Sequence, residues 1–204
     1  MFIGKWNKSV IMTYIGMAFS VSGILLSTKG EILYAISCLV IAGICDLLDG
    51  AIARRCKRTE SEKQFGIELD SLVDVIGFIV FPIIIYINIG LSEWYFIPLY
   101  VLYGICGVAR LAYFNISLDE ENKSVPIKYY SGLPVTTISF ILPIAYLISY
   151  IIPVDMHCIF YAVVLFLVSL LFILNFKLKK PPLKFYPVFI ILAIIALILF
   201  LGVL

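Results

Sequence analysis

Apolar runs of about 17 to 24 residues recur along this chain, each long enough at 1.5 Å per residue to cross a hydrocarbon layer roughly 30 Å thick. This restricts the fold more than any motif does. In lipid every backbone N–H and C=O must find its partner inside the chain, and uninterrupted runs of this length satisfy that as α-helices. Of the 204 residues 63% are hydrophobic and only 14% charged, so one membrane domain, 1–204, accounts for the sequence. The expected fold class is all-α and polytopic, with helices near 10–27, 31–54, 66–89, 94–115, 132–152, 156–175 and 186–203. That gives seven spans, six within about 10–175 and a C-terminal one at 186–203. Residues 1–9, "MFIGKWNKS", carry Trp6 beside Lys5 and Lys8 and suit a segment lying at the interface. Lysines before an apolar run also open signal peptides, but no small-residue cleavage site follows, and the segment is expected to be retained.

Positive residues decide the orientation. Lys5 and Lys8, the cluster Arg54, Arg55, Lys57, Arg58 and Lys63, the pair Lys123 and Lys128, and Lys177, Lys179, Lys180 and Lys184 fall at alternate ends of the spans. The opposite loops, "STKGE", "NIGLSEW" and "PVDMH", hold one lysine in total. The basic ends are therefore cytoplasmic and the N-terminus is inside, in a multi-pass protein of the cell membrane. A net charge of +2 gives no reason to expect nucleic acid as a partner. The five cysteines form no CxxC pair; Cys38, Cys45 and Cys106 read as small packing residues, so neither a disulfide framework nor a zinc site is expected.

Four aspartates interrupt the apolar pattern in "CDLLDGAIARRCKRTESEKQFGIELDSLVD", residues 45–74. On a helix Asp46 and Asp49 lie about 60° apart, and Ala53 returns to within about 20° of Asp46. Gly66, Asp70 and Asp74 step by four and form a second stripe. Because the second helix enters the cytoplasmic side and the third leaves it, all four carboxylates lie roughly 5 to 13 Å from the cytoplasmic helix ends. They can converge. Each buried charge costs on the order of 2.5–3.5 kcal/mol at the bilayer centre, and four like charges repel. Two divalent cations resolve both problems, since hard all-oxygen sites suit Mg²⁺, Mn²⁺ or Ca²⁺ and leave positions open for phosphate oxygens. Gly50 and Ala53 allow a ligand close to the second helix, and Arg54 offers a fork for phosphate. The alternatives are structural pairing with basic side chains, or an ion path as in a small cation transporter.

The string Asp46-x2-Asp49-Gly50-x2-Ala53-Arg54, followed by Gly66-x3-Asp70-x3-Asp74, resembles the signature of the CDP-alcohol phosphotransferases. The resemblance implies a six-helix core, two divalent metals (Mg²⁺ or Mn²⁺), a homodimer, and transfer of a phosphatidyl group from CDP-diacylglycerol to an alcohol with release of CMP. By position it makes Asp46, Asp49, Asp70 and Asp74 metal ligands and Asp74 also the base on the incoming hydroxyl. Asp49, Gly50, Ala53, Arg54 and Gly66 line the nucleotide. The eleven residues between Arg54 and Gly66 exceed the usual eight or nine, and the extra length is assigned to a charged loop.

The acceptor is read from weaker features. The glycerophosphate-using branch carries a lysine after the last aspartate, where this chain has Val75. "ELDSLVD", "ICGVARLAYFNI" (105–116) and "YYSGLPVT" (129–136) instead resemble the serine-using members, the phosphatidylserine synthases of bacterial and archaeal membrane type. L-Serine is the expected acceptor, with an inositol phosphate or glycerol phosphate as the alternative. Arg110, inside the fourth expected span, offers a fork for the serine carboxylate or the CDP phosphates, or serves as a counter-ion to the aspartates. Asn115 and Lys128 are headgroup candidates, with a helix-end cap the competing role for Asn115. Gly132 and Pro134 are expected to start the fifth helix, His157 to be a solvated loop residue, and Asp119, Glu120 and Glu121 to lie in a solvated loop. Cysteines introduced at 57–63 or 179–184 are expected to react with impermeant maleimide only from the cytoplasmic side; labelling from outside intact cells would reverse the orientation.

Overall fold

The computed structural model describes residues 4–121 and 129–179. They form α1 (Ile11–Thr28), α2 (Ile32–Arg55), α3 (Glu60–Asp74), a π-helical segment (Val75–Val80) running on into α4 (Phe81–Asn88), α5 (Ile97–Glu121), α6 (Ile138–Ser149) and α7 (His157–Ile173). Among the described residues five helical stretches are long and apolar enough to cross a membrane: Lys8–Thr28, Ile32–Ala53, Glu60–Asn88, Trp94–Ile116 and Val154–Ile173. A sixth apolar helix, Val135–Ser149, is shorter. The all-α, multi-pass reading is borne out across the described residues. The expected span at 186–203 lies outside them, as does Lys128.

α1 turns an unusual face inward. Its buried residues are Thr13, Gly16, Ser20, Gly23 and Ser27, all small or polar, while Ile15, Val21 and Leu25 point outward. Lipid is as apolar as leucine, so helices in a membrane gain by close approach through small residues. A Cβ on Gly23 would lie 2.8 Å from the Cβ of Cys38, and one on Gly16 would lie 3.3 Å from that of Cys45. α1 thus packs closely against α2, and the same contact carries Thr13 up to the Asp46/Asp49 level.

α3 begins at Glu60, six residues before the expected start at Gly66, about a turn and a half earlier. The cause is a capping box. The Thr59 hydroxyl accepts from the Glu62 N–H at 3.3 Å while the Glu62 carboxylate accepts from the Thr59 N–H at 2.8 Å. Much of the extra length between Arg54 and Gly66 is therefore helix, not loop. α5 likewise runs past the expected end at 115, so the backbone of Asp119, Glu120 and Glu121 is helical rather than loop.

The π-helical segment follows Asp74 directly. In it the Phe81 N–H donates to the Ile76 carbonyl, five residues back, which widens the turn. Pro82 has no N–H to give to the Phe78 carbonyl four residues before it, and the buried Tyr103 hydroxyl donates to that carbonyl at 2.7 Å. A side chain from α5 thereby secures the backbone one turn beyond Asp74.

A short antiparallel ribbon, β1 (Tyr129–Ser131) with β2 (Lys177–Lys179), joins the segments after α5 and α7. It displaces the expected helix start at Gly132, since α6 begins only at Ile138 after a 3₁₀ turn. Gly132 has φ +75°, its N–H donates to the Phe176 carbonyl at 2.9 Å, and a Cβ there would lie 3.0 Å from the Phe172 carbonyl. It is a tight-turn residue. His157 begins α7, is half-buried, and places a ring nitrogen 3.0 Å from the Ile152 carbonyl oxygen, so it is not a solvated loop residue. Cys38, Cys45 and Cys106 are buried, as expected of packing residues.

Gly23→Ala is expected to lower the thermal stability of the detergent-solubilised protein by about 1–3 kcal/mol through overpacking. Gly104→Ala should be close to neutral, because a methyl there meets nothing within 4 Å. Equal melting temperatures for the two variants would contradict the α1–α2 packing.

Candidate metal and nucleotide site

The four aspartates converge as their spacing requires. One carboxylate oxygen each of Asp46, Asp49 and Asp70 lie within 4.8 Å of one another. Across the two helices Asp46 faces Asp74 and Asp49 faces Asp70 within hydrogen-bonding reach. Asp49 and Asp74 are buried, and Asp46 and Asp70 are half-buried. A cleft between α1, α2 and α3 takes in all four and is lined also by Thr13, Gly16, Ser20, Ala42, Val73 and Phe78.

The donor set fits a hard divalent cation. Oxygens sharing one Mg²⁺ at 2.0–2.1 Å stand roughly 3–4 Å apart, and these three lie within 4.8 Å of one another. Among the described side chains no lysine or arginine pairs with the four carboxylates. Unpaired carboxylates in apolar surroundings are costly, and a divalent cation is a group that would offset their charge. Asp46, Asp49 and Asp70 could hold such an ion, and Asp74, one turn further along α3, completes the ring of acids.

Thr13 was not foreseen. Its hydroxyl donates to Asp49 Oδ2 at 3.2 Å, fixing one carboxylate from a third helix. The signal for it was present in the 13, 16, 20, 23, 27 spacing of small residues, which marks the face of α1 that must turn inward. The headgroup candidates separate. Asn115 lies within α5 rather than at its end, and its side-chain amide donates to Ser71 Oγ at 2.7 Å, beside Asp70 in sequence. That replaces the helix-end cap reading with a cross-helix tie between α5 and α3. Arg110 is buried; its Nε donates to the Leu133 carbonyl at 3.2 Å and its guanidinium lies over the Phe114 ring at 5.5 Å. Gly50, Ala53 and Arg54 occupy the last turns of α2, on the loop side of Asp49. Gly66 sits one turn before Asp70 on α3.

Comparison with known proteins agrees with this geometry. The family model described as CDP-alcohol phosphatidyltransferase matches residues 6–203. A CDP-diacylglycerol–serine O-phosphatidyltransferase of Saccharomyces cerevisiae is 37% identical over 112 residues, 52% of this chain and 40% of the yeast protein. An archaetidylserine synthase of Methanothermobacter thermautotrophicus is 34% identical over 136 residues, 62% of this chain and 52% of the archaeal one. A CDP-diacylglycerol–serine O-phosphatidyltransferase of Helicobacter pylori is 35% identical over 113 residues, 54% of this chain and 45% of that protein. The matched stretch thus spans about half the length of these relatives. With a match that runs nearly end to end and four aspartates assembled in one cleft, the chain belongs to the CDP-alcohol phosphatidyltransferase family.

Proposed function

We propose that this protein transfers the phosphatidyl group of CDP-diacylglycerol to the hydroxyl of L-serine, releasing CMP and forming phosphatidylserine. The observation that carries the reading is the cluster of Asp46, Asp49 and Asp70 oxygens within 4.8 Å, drawn from two helices of a membrane span pair. The serine assignment is supported by the relatives that bear serine-transferase and archaetidylserine-synthase names. The same names weigh against an inositol phosphate or glycerol phosphate as acceptor.

In this reading Asp46, Asp49, Asp70 and Asp74 hold two divalent cations, Mg²⁺ or Mn²⁺, which when bound offset the charge of the diphosphate and of the leaving phosphate. Thr13 keeps Asp49 oriented by its hydrogen bond. Gly50 and Ala53 leave room for the cytidine nucleotide against α2, Gly66 does so on α3, and Arg54 meets a phosphate. The serine hydroxyl gives its proton to Asp74, which lies in the cleft outside the three-oxygen cluster. The oxygen then bonds to the phosphorus bearing diacylglycerol, the bond from that phosphorus to the CMP oxygen breaks, and CMP leaves with its electron pair. Arg110, Asn115 and Lys128 are assigned to the serine side, Arg110 to the carboxylate. The proposal puts the cleft on the cytoplasmic side of the cell membrane with the N-terminus inside, a reading that the basic helix ends support, and takes a homodimer as the working form.

Three measurements test this. CMP release from CDP-diacylglycerol should depend on serine and on Mg²⁺ or Mn²⁺, with glycerol 3-phosphate, inositol phosphate and ethanolamine inactive; release with glycerol 3-phosphate and none with serine would defeat the acceptor assignment. Asp74→Asn should cut turnover by about 10²- to 10⁴-fold while retaining more metal-dependent CDP binding than Asp46→Ala or Asp49→Ala. Near-normal turnover would remove Asp74 as the base. Arg110→Lys should raise the KM for serine more than that for CDP-diacylglycerol, because an ammonium keeps the charge and loses the planar fork. A rise confined to the lipid KM would move Arg110 to the diphosphate.

A further inference from the structure

Among the described residues, one cation beside Gly66 has no acid to meet. Arg58 precedes Thr59, the N-cap of α3, and its Nη1 comes within 3.8 Å of the point where a side chain on Gly66 would begin. Val10 approaches the same point to 3.9 Å. Gly66 is one turn from Asp70, and Val10 is one turn from Thr13, the partner of Asp49. The guanidinium therefore stands beside the turn of α3 that precedes Asp70, about one helical pitch or roughly 5.4 Å along that helix, and beside the turn that precedes Thr13. Its Nε is buried and has no hydrogen-bond partner among the described residues. The neighbouring acids are engaged elsewhere: Glu62 accepts from the Thr59 N–H at 2.8 Å and lies within reach of Asn7, and Glu60 pairs with Lys63 at 3.1 Å.

A buried N–H with no acceptor is unfavourable unless a ligand brings an oxygen to it. Guanidinium is permanently charged and presents its donors as a planar fork that matches phosphate. The capping box holds the backbone beside Arg58 in place. We propose that Arg58 binds the diphosphate of the CDP headgroup at the end away from the aspartates. A diphosphate carries oxygens on two phosphorus centres and so spans a gap of one turn between an acid-bound end and a guanidinium. A single carboxylate, as on serine, is too short to engage both. The inference rests on the nucleotide-lipid reading above and adds to it a residue outside the eight signature positions.

The test is titration of soluble CDP into the detergent-solubilised full chain in the presence of MgCl₂, for wild type, Arg58→Gln and Arg58→Lys. Melting curves serve to compare the folding of the three. Arg58→Gln should weaken CDP binding by about tenfold and Arg58→Lys by less, since lysine restores the charge without the fork. The KM for CDP-diacylglycerol should rise in step, with the KM for serine unchanged. Wild-type binding accompanied by unchanged affinity in Arg58→Gln overturns the inference and leaves the proposed function standing. So does an effect that appears only in adhesion to phosphatidylglycerol vesicles, which would assign Arg58 to bilayer headgroups. Absence of CDP binding by wild type overturns both.

Discussion

Four carboxylates held in one cleft between two membrane-spanning helices are the constraint on which the rest of this structure depends. Like charges in apolar surroundings repel and are poorly solvated, and among the described side chains no basic group pairs with them. A divalent cation in the cleft would relieve both costs, and a cation bound by carboxylates on one side would retain open positions on the other. The chemistry of the site follows from that imbalance.

Much of the surrounding fold holds those acids in register. The small-residue face of α1 brings Thr13 to Asp49, so a third helix fixes a carboxylate that would otherwise be free to turn. The capping box at Thr59 and Glu62 starts α3 early and stiffens the turns leading to Asp70. Beyond Asp74, the π-helical segment and Pro82 interrupt regular hydrogen bonding, and Tyr103 takes up the Phe78 carbonyl. Asn115, through Ser71, ties α5 to the same stretch of α3. The carboxylate pairs are thus braced from α1 and α5 as well as by their own helices, as a preorganised binding site requires.

The parts of this architecture legible in the sequence are those with a strong local period. Long apolar runs set the number and order of the described spans, and the i, i+3 and i, i+4 spacings put Asp46, Asp49, Asp70 and Asp74 on facing stripes. What escaped had a local signature that was passed over or a cause distant in sequence. The Thr59-x2-Glu62 capping box was visible, yet charge made 57–63 read as loop. The bond from Thr13 to Asp49 crosses 36 positions, and that from Asn115 to Ser71 crosses 44, so no window on one helix reveals either. Gly132 has the residue type of a helix start, and only the approach of the Phe172 and Leu174 carbonyls shows that it fills a tight turn.

The central claim is that α2 and α3 build one composite cation site. Titration of Mn²⁺ into the solubilised protein, followed by electron paramagnetic resonance of the free ion, addresses it without reference to any substrate. The account predicts that wild type depletes the free Mn²⁺ signal and that Asp46→Ala on α2 and Asp70→Ala on α3 each abolish the depletion. Depletion that survives either substitution at wild-type strength would contradict a shared site and separate the two carboxylate stripes into unrelated features.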